Sequence, residues 1–378
     1  MSAEKSAGKP AERGPLIGLR VIEAGQYISG PYAGRVLADL GADVVKVEPP
    51  SGDPMRRWQG GGERPHSPQF GAYNRGKRGA VLDLKQEAGR DALLGLLADA
   101  DVFIENFRPG VADRLGIGWN VAHRLNPGLV YCSITGFGPA GPYARRPAYD
   151  TVISAIGGMY AHLVPLDAPR PVGPAFSDLL SGASAAQGIL AALHARGTHG
   201  EGQHVEVSML GALTDFLTEP IATYLETGAV VQPGTRAARA QAYGCVGRDG
   251  SPFVIHLSVP EKFWRGLLTV IERPDLAGDP RFATREARYR NYDALDEVLK
   301  AETRKLPRCE WFERLTAADI PHGPLNTIAD LVQDPQVIRM GLIDDHQILP
   351  GTRFSAGDLP RPEPAPGLGE HTTEVLDA

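Results

Sequence analysis

Short apolar runs alternate with longer amphipathic stretches through the first half of the chain. Arg20-Val21-Ile22-Glu23-Ala24 predicts a short buried strand, and Gly25 to Pro31 a glycine-containing loop. Pro31 suits a first helical position, where its missing N–H costs nothing, and opens the amphipathic run YAGRVLADL. Gly41 suits the end of that helix. Asp43-Val44-Val45-Lys46-Val47-Glu48 predicts a second strand, so the pattern is a βαβ unit with a right-handed crossover. The alternation continues with a strand over Ala80–Leu84 and a helix from Glu87 to Ala98 carrying Leu93, Leu94, Leu96 and Leu97. A strand over Asp101–Glu105, a short helix through Arg114 and a strand over Leu129–Ile134 follow. Alternating β and α predicts a doubly wound, Rossmann-like α/β domain. Ligands of such sheets bind outside the carboxyl ends of the strands, where Asn106, Phe107 and Arg108 fall. The loop GQYISGP contains no GxGxxG, so a nicotinamide fingerprint is missing.

The pattern changes beyond Gly173. The run LLSGASAAQGILAALHAR, from Leu179 to Arg196, predicts a long helix too apolar for a surface. Asp178 stands where it begins, either as its N-cap or as a carboxylate at its positive end. Gln203–Val207 alternates with period 2, as an edge or half-buried strand does, and Met209 to Leu225 reads as helical. Thr227 to Ala240 mixes glycine, proline and arginine and predicts a linker into a second, smaller α+β domain. There the turn Arg248-Asp249-Gly250 precedes a strand over Pro252–Leu257, with helices over Glu261–Ile271, Tyr292–Thr303 and Trp311–Ala317. The predicted organisation is a disordered polar lead (residues 1–17), a large domain (18–226), linker and small domain (227–325), and a return to the large domain (326–378). Pro49 to Pro68 is a long loop whose Arg56, Arg57 and Arg64 are either phosphate contacts or solvated side chains.

Composition narrows the function. The 378 residues are 42% apolar, enough for a large core, and the net charge of −6 leaves no basic footprint for nucleic acid. Cys132, Cys245 and Cys309 are far apart, which indicates neither disulfides nor a zinc site and suits a reducing, cytoplasmic setting. No HExxH occurs, and His194 and His199 read as solvated residues near a helix end, so no metal is expected. No run is long enough to span a membrane, and the start of the chain lacks the apolar core of a signal peptide.

Several motifs then combine in order: LADLGADVVKVEPPSGD, NRGKRGAVLDL, DVFIENFRPGVADRLG, NPGLVYCSITGFG, AYDTVISAIGGM and the Asp178 stretch followed by GILAAL. Together they resemble the family III (CaiB/BaiF-type) CoA-transferases, the group of formyl-CoA transferase, carnitine CoA-transferase and the α-methylacyl-CoA racemases. The resemblance runs from about Gly18 to the C-terminus and is densest over the first two hundred residues. It implies an interlocked homodimer, each subunit with a large Rossmann-like and a small domain. It also implies acyl-CoA and a free carboxylic acid as substrates, with no tightly bound cofactor, and makes Asp178 the catalytic carboxylate. Such a residue attacks the thioester and carries acyl and CoA in turn, so that one difficult transfer becomes several easier exchanges. A helix N-terminus would keep it ionised and supply N–H groups to an oxyanion.

Racemases of the group place Gly-His-Asp where Ala148-Tyr149-Asp150 stands here. A tyrosine, with its pKa of about 10, is a poor base at neutral pH, so Tyr149 argues for transfer over racemisation. Racemisation and CoA binding without catalysis are the alternatives. The residues themselves also allow Tyr149 to be a core residue and Asp150 a helix cap. By position, the resemblance assigns Leu82, Lys85, Asn106, Phe107 and Arg114 to the nucleotide. Lys85 and Arg114 would meet phosphates, Leu82 and Phe107 would cover the adenine, and Asn106 would donate hydrogen bonds. Tyr27 and Ile28 match a segment that approaches the thioester through its backbone. Pro49 replaces an arginine found in some members, and the nearest counterpart of a glycine-rich active-site loop is Tyr243-Gly244-Cys245-Val246-Gly247.

Overall fold

Six parallel strands form one sheet in the order β3-β2-β1-β4-β5-β6. They are β1 (Arg20–Glu23), β2 (Asp43–Glu48), β3 (Lys77–Val81), β4 (Val102–Glu105), β5 (Val130–Thr135) and β6 (His204–Ser208). The order reverses between β1 and β4, which makes the ends of these two strands a topological switch point. The computed structural model of the chain describes residues 14–58, 66–258, 260–344 and 347–377. Most of the polar lead, residues 1–13, and Arg64 lie outside the described residues. Residues 14–17 are folded against the first helix: Leu16 N–H donates to Leu40 O at 3.0 Å. The described residues fall into two compact units, one within the ranges 14–160, 169–226 and 340–377, the other within 161–168 and 227–339.

Alternation along the strands loads both faces of the sheet. Ile22, Val45, Val47, Phe103 and Tyr131 share one core cluster with Leu93, Leu96 and Leu97 of a covering helix. Val21, Val44, Val102, Ile104 and Cys132 share another with Ala33, Leu37, Ala185 and Ile189. The helices of this unit up to Thr227 are α1 (Ser29–Asp39), α2 (Pro68–Asn74), α3 (Glu87–Ala98), α4 (Val111–Leu115), α5 (Trp119–Leu125), α6 (Asp150–Ile156), α7 (Met159–Leu163), α8 (Phe176–His199), α9 (Met209–Phe216) and α10 (Thr218–Thr227), with the ends of α7 and α10 assigned to the other unit.

Four local readings change. Helix α1 begins at Ser29, so Pro31 is its third residue; its missing N–H still falls in the first turn, where no intrahelical partner exists. Strand β3 begins at Lys77, three residues before the predicted Ala80, because Lys77 to Val81 pairs with Val44 to Glu48. Its charged start masks it as a strand, yet the Lys77 side chain is buried. The stretch from Met209 breaks at Leu217, and Pro220, which has no N–H to donate, sits in the first turn of α10. Within the long loop, Pro54–Arg57 forms a 3-10 turn capped by Asp53, and Ser67 caps α2.

Helix α8 is buried on one face only, through Ser177, Ser181, Gly182, Ala185, Ala186, Ile189 and Ala192. His194 and His199 are exposed. The small residues let neighbouring backbone come close: a Cβ on Gly182 would lie 2.7 Å from Ser29 O. The start of α8 is thereby locked against the start of α1.

The second unit holds α11 (Thr235–Ala240) within the predicted linker and a three-stranded antiparallel sheet, β7 (Ala242–Val246), β8 (Pro252–His256) and β9 (His322–Pro324). The unit also holds helices α12 (Pro260–Val270), α13 (Arg285–Arg290), α14 (Tyr292–Thr303) and α15 (Arg308–Ala317). Its core gathers Tyr243, Phe253, Trp264, Leu295, Leu299 and Trp311. The segment Tyr243–Gly247 is therefore no active-site loop: Tyr243 to Val246 is strand, and Tyr243 and Cys245 are core residues.

Candidate active site

A cavity of about 680 Å³ opens in the first unit, lined by residues 26–29, 106–109, 134–137, 148–151 and 171–175, with Trp58, Arg146, Asp178 and Met209. Its first three segments follow β1, β4 and β5, at the strand ends where doubly wound sheets bind ligands. Seven of the candidate residues meet there: Tyr27, Ile28, Asn106, Phe107, Tyr149, Asp150 and Asp178. Leu82, Lys85 and Arg114 do not line it. Leu82 is buried in the core at the end of β3, whereas Lys85 and Arg114 are exposed. Phe107 connects the two groups, since it lines the cavity and packs on the cluster that contains Leu82.

Asp178 lies in the first turn of α8, but the N-cap is Ala175, which has no side chain to offer. The cap is supplied from 27 residues upstream. Asp150 Oδ1 accepts from Ser177 N at 2.8 Å, from Ser177 Oγ at 2.8 Å and from Asp178 N at 3.4 Å. Asp150 is thus a helix cap, but of α8 rather than of the helix it begins. Two carboxylates consequently share one helix N-terminus. Burial, and then the charge of Asp150, push Asp178 up to about 7. The expectation that the helix end keeps Asp178 ionised is corrected, because burial and the neighbouring Asp150 charge both favour its protonated form. Asp178 in turn pushes up the Tyr73 phenol, for which burial is the larger cause.

Tyr149 is 57% exposed and is no core residue. Its ring meets that of Tyr27 edge-on, with centroids 6.0 Å apart, and Tyr27 also meets Trp58 at 6.3 Å. Tyr27 has a φ of +62°, a region that bulky residues rarely occupy. Its N–H donates to Asp53 Oδ2 at 3.1 Å. Asn106 is committed to the same loop: its Oδ1 accepts from Gln26 N, and its Nδ2 donates to Gln26 O at 2.8 Å and to Ser29 Oγ at 3.1 Å. Both amide hydrogens are engaged, so Asn106 shapes the cavity by clamping the loops of the switch point together.

Sequence reading missed the charged layer under this loop. Glu23, Lys46, Glu48, Asp53, Arg56 and Lys77 are all buried. Lys46 Nζ reaches Glu23 at 3.4 Å, Asp53 at 3.3 Å and Gly25 O at 2.9 Å. Lys77 Nζ reaches Glu23 at 2.7 Å, and burial lowers its pKa to about 8. Arg56 forks onto Glu48 at 2.7 and 2.6 Å and donates to Pro366 O at 3.1 Å, so it is not a free phosphate ligand; Arg57 is exposed. A second missed carboxylate, Glu105, accepts from Phe107 N at 2.7 Å, and burial pushes it to about 7. Charged residues at the ends of buried strands were the available signal.

A doubly wound sheet with two half-buried carboxylates at a strand-end cavity is the architecture of an α/β enzyme. The family model of CoA-transferase family III matches residues 16–372, and the chain belongs to that family. It is 37% identical over 375 residues to acetyl-CoA:oxalate CoA-transferase of Acetobacter aceti, covering 97% of this chain and 96% of that one. It is 34% identical over 385 residues to succinate–glutarate CoA-transferase of Agrobacterium fabrum, with 97% and 96% covered. Among solved structures, a CaiB/BaiF family protein from Brucella suis superposes with a TM-score of 0.87 at 36% identity, covering 96% of this chain and 98% of that one. Rv3272 from Mycobacterium tuberculosis gives 0.85 at 32% identity, with 96% and 98% covered. The chain is accordingly a transferase that uses CoA thioesters as substrates. No described helix is long and apolar enough to cross a membrane.

Proposed function

We propose that this enzyme moves CoA from an acyl-CoA donor to a free carboxylic acid through covalent intermediates on Asp178. The observation that carries the reading is the Asp178 carboxylate itself, half-buried on the first turn of α8 and lining the large cavity at the strand ends. One Asp178 oxygen attacks the thioester carbonyl carbon; the C–S bond breaks and the thiolate leaves with its electron pair. The thiolate then attacks Cγ of the mixed anhydride, releasing the donor acid and leaving an aspartyl-CoA thioester. The acceptor carboxylate attacks that thioester, forming a second anhydride and freeing the thiolate again. Attack of the thiolate on the acceptor acyl carbon yields the new acyl-CoA and restores Asp178. No proton is gained or lost overall, so neither a strong base nor ATP is required. The α1 N-terminus faces the cavity through Ile28 and Ser29 and offers N–H groups to the oxyanions, whereas the first N–H groups of α8 are held by Asp150.

The acceptor is proposed to be a dicarboxylic acid. Arg108 and Arg146 line the cavity, and among the described residues neither has an ion-pair partner. Either can meet a second carboxylate through its forked guanidinium. Relatives named for oxalate, glutarate and D-citramalate support the same class. Phe107 and the exposed Lys85 and Arg114 remain the proposed nucleotide contacts. The working unit is proposed to be a homodimer, for which exposed apolar residues such as Leu225 and Ile328, each 75% exposed, supply unpartnered surface. Sedimentation at micromolar concentration is expected to give a dimer, and a monomer would refute it.

Transfer is tested by mass spectrometry in deuterated water with mixed acyl-CoA donors and a panel of free acids. The expected result is new acyl-CoA species, from dicarboxylic acids first, without deuterium at the α-carbon. Deuterium there with no new acyl-CoA would establish an isomerase instead.

A further inference from the structure

We propose that Asp53, held by Lys46, is a positioning residue that sets the conformation of the Gly25–Ile28 loop and thereby the cavity wall it shares with Asp178. Only the kinetic part of this inference rests on Asp178 being the nucleophile. Three observations converge on it. First, Tyr27 is held at a φ of +62°, where a non-glycine residue must be stabilised by its surroundings. The Asp53 carboxylate provides that restraint directly, with Oδ2 3.1 Å and Oδ1 3.4 Å from Tyr27 N. Second, Asp53 is itself fixed from two sides. Its Oδ1 accepts from Met55 N at 2.9 Å, and Lys46 Nζ lies 3.3 Å from Oδ2. The same ammonium donates to Gly25 O at 2.9 Å, so one buried cation holds both ends of the loop turn. Third, the loop and the start of α8 share a small core. Ile28, Met55 and Phe70 are its buried centre, and Tyr27, Ala175 and Leu179 pack against it. A shift at Tyr27 therefore reaches the turn that carries Asp178.

A buried ion pair is a poor device for stability, because desolvation offsets most of the attraction. An apolar pair would fill the same space at no such cost. What the charges add is geometry: a carboxylate can accept from Tyr27, Met55 and Lys46 together, and no apolar side chain can. The layer also leaves the Tyr27 ring against Tyr149 and Trp58, on the cavity side of the loop.

Asp53→Asn is the decisive variant, since it preserves shape but leaves one acceptor oxygen where the carboxylate uses two. Its kcat per active site is expected to fall about tenfold with KM for the acyl-CoA within about twofold, as for a loss of alignment rather than of binding. Hydrogen exchange, read by mass spectrometry on peptides spanning residues 24–33, is expected to accelerate at least about tenfold, while peptides from α3 and α5 stay at wild-type rates. Arg75→Met, which breaks the buried Arg75–Asp39 pair away from this loop, is the control. It is expected to lower Tm yet leave kcat per folded molecule and the 24–33 exchange unchanged. Wild-type exchange at 24–33 in Asp53→Asn overturns the proposal. So does acceleration spread over the whole chain, or a loss of turnover that follows only the folded fraction. If the wild-type protein transfers no CoA, the Asp178 mechanism fails, while the exchange result still decides the role of Asp53.

Discussion

Asp178→Ala is expected to lower CoA transfer by at least about a thousandfold, the scale on which enzymes lose rate with their nucleophile. The variant should fold. Alanine suits a helical first turn, and Asp150 still caps Ser177 N. Removing a carboxylate that burial and Asp150 hold near 7 also relieves a repulsion. Loss of turnover with an unchanged or raised Tm thus separates chemistry from folding. CoA should bind to the variant with little change, because the proposed nucleotide contacts, Phe107, Lys85 and Arg114, are untouched. The covalent step has its own signature. Incubating wild-type protein with acyl-CoA and no acceptor should leave CoA attached to the peptide containing Asp178, removable by hydroxylamine. Near-normal turnover in Asp178→Ala, or an adduct at another residue, would refute the assignment.

The second large effect is in pH. The attacking form is the carboxylate, and Asp178 protonates near 7. The log of kcat/KM for the acyl-CoA is therefore expected to rise with unit slope below that value and flatten above it. Between pH 8 and pH 5 the ionised fraction falls by about a hundredfold, and the rate with it. Asp150→Asn tests the electrostatic part of the cause. The amide oxygen keeps its bond to Ser177 N and the negative charge disappears, so the ionisation moves down while burial keeps it above the usual carboxylate range of about 4. At pH 6 the variant should be relatively more active, against its own plateau, than the wild type. A pH profile identical in the two proteins would mean that Asp150 exerts no charge on Asp178. The sign for stability is the opposite of the common carboxylate case. Folded Asp178 holds its proton more tightly than the unfolded chain does, so its contribution to stability is greatest below the unfolded value of about 4 and is lost as pH rises through 7.

These two expectations also show why the site was only partly legible in advance. Asp178, Tyr149, Asp150 and the loop after β4 stood out because they occur at element boundaries, in motifs that resemble a known family. Their division of labour did not. Asp150 caps a helix far along the chain, Asn106 expends its amide on the Gln26 loop, and Arg56 is consumed by Glu48. Each is a partnership between distant segments, and residue type alone does not disclose a partner.

The sequence by itself determined the alternation of strands and helices, the doubly wound class and the small-residue helix led by Asp178. These follow from local periodicity and backbone preference, which act within a few residues of one another. Only the tertiary structure decided that Lys46 and Lys77 are interior, and that β3 starts at a lysine. It also decided that Tyr27 is held left-handed and that Asp178 sits near 7 rather than well below it. For the charged groups the reason is common. Burial of a charge, and the ionisation it then shows, depend on how much water is removed and which opposite charge replaces it. Both are set by folding, which brings Glu23 on β1, Lys46 on β2 and Lys77 on β3 together in the sheet and Asp150 against the start of α8.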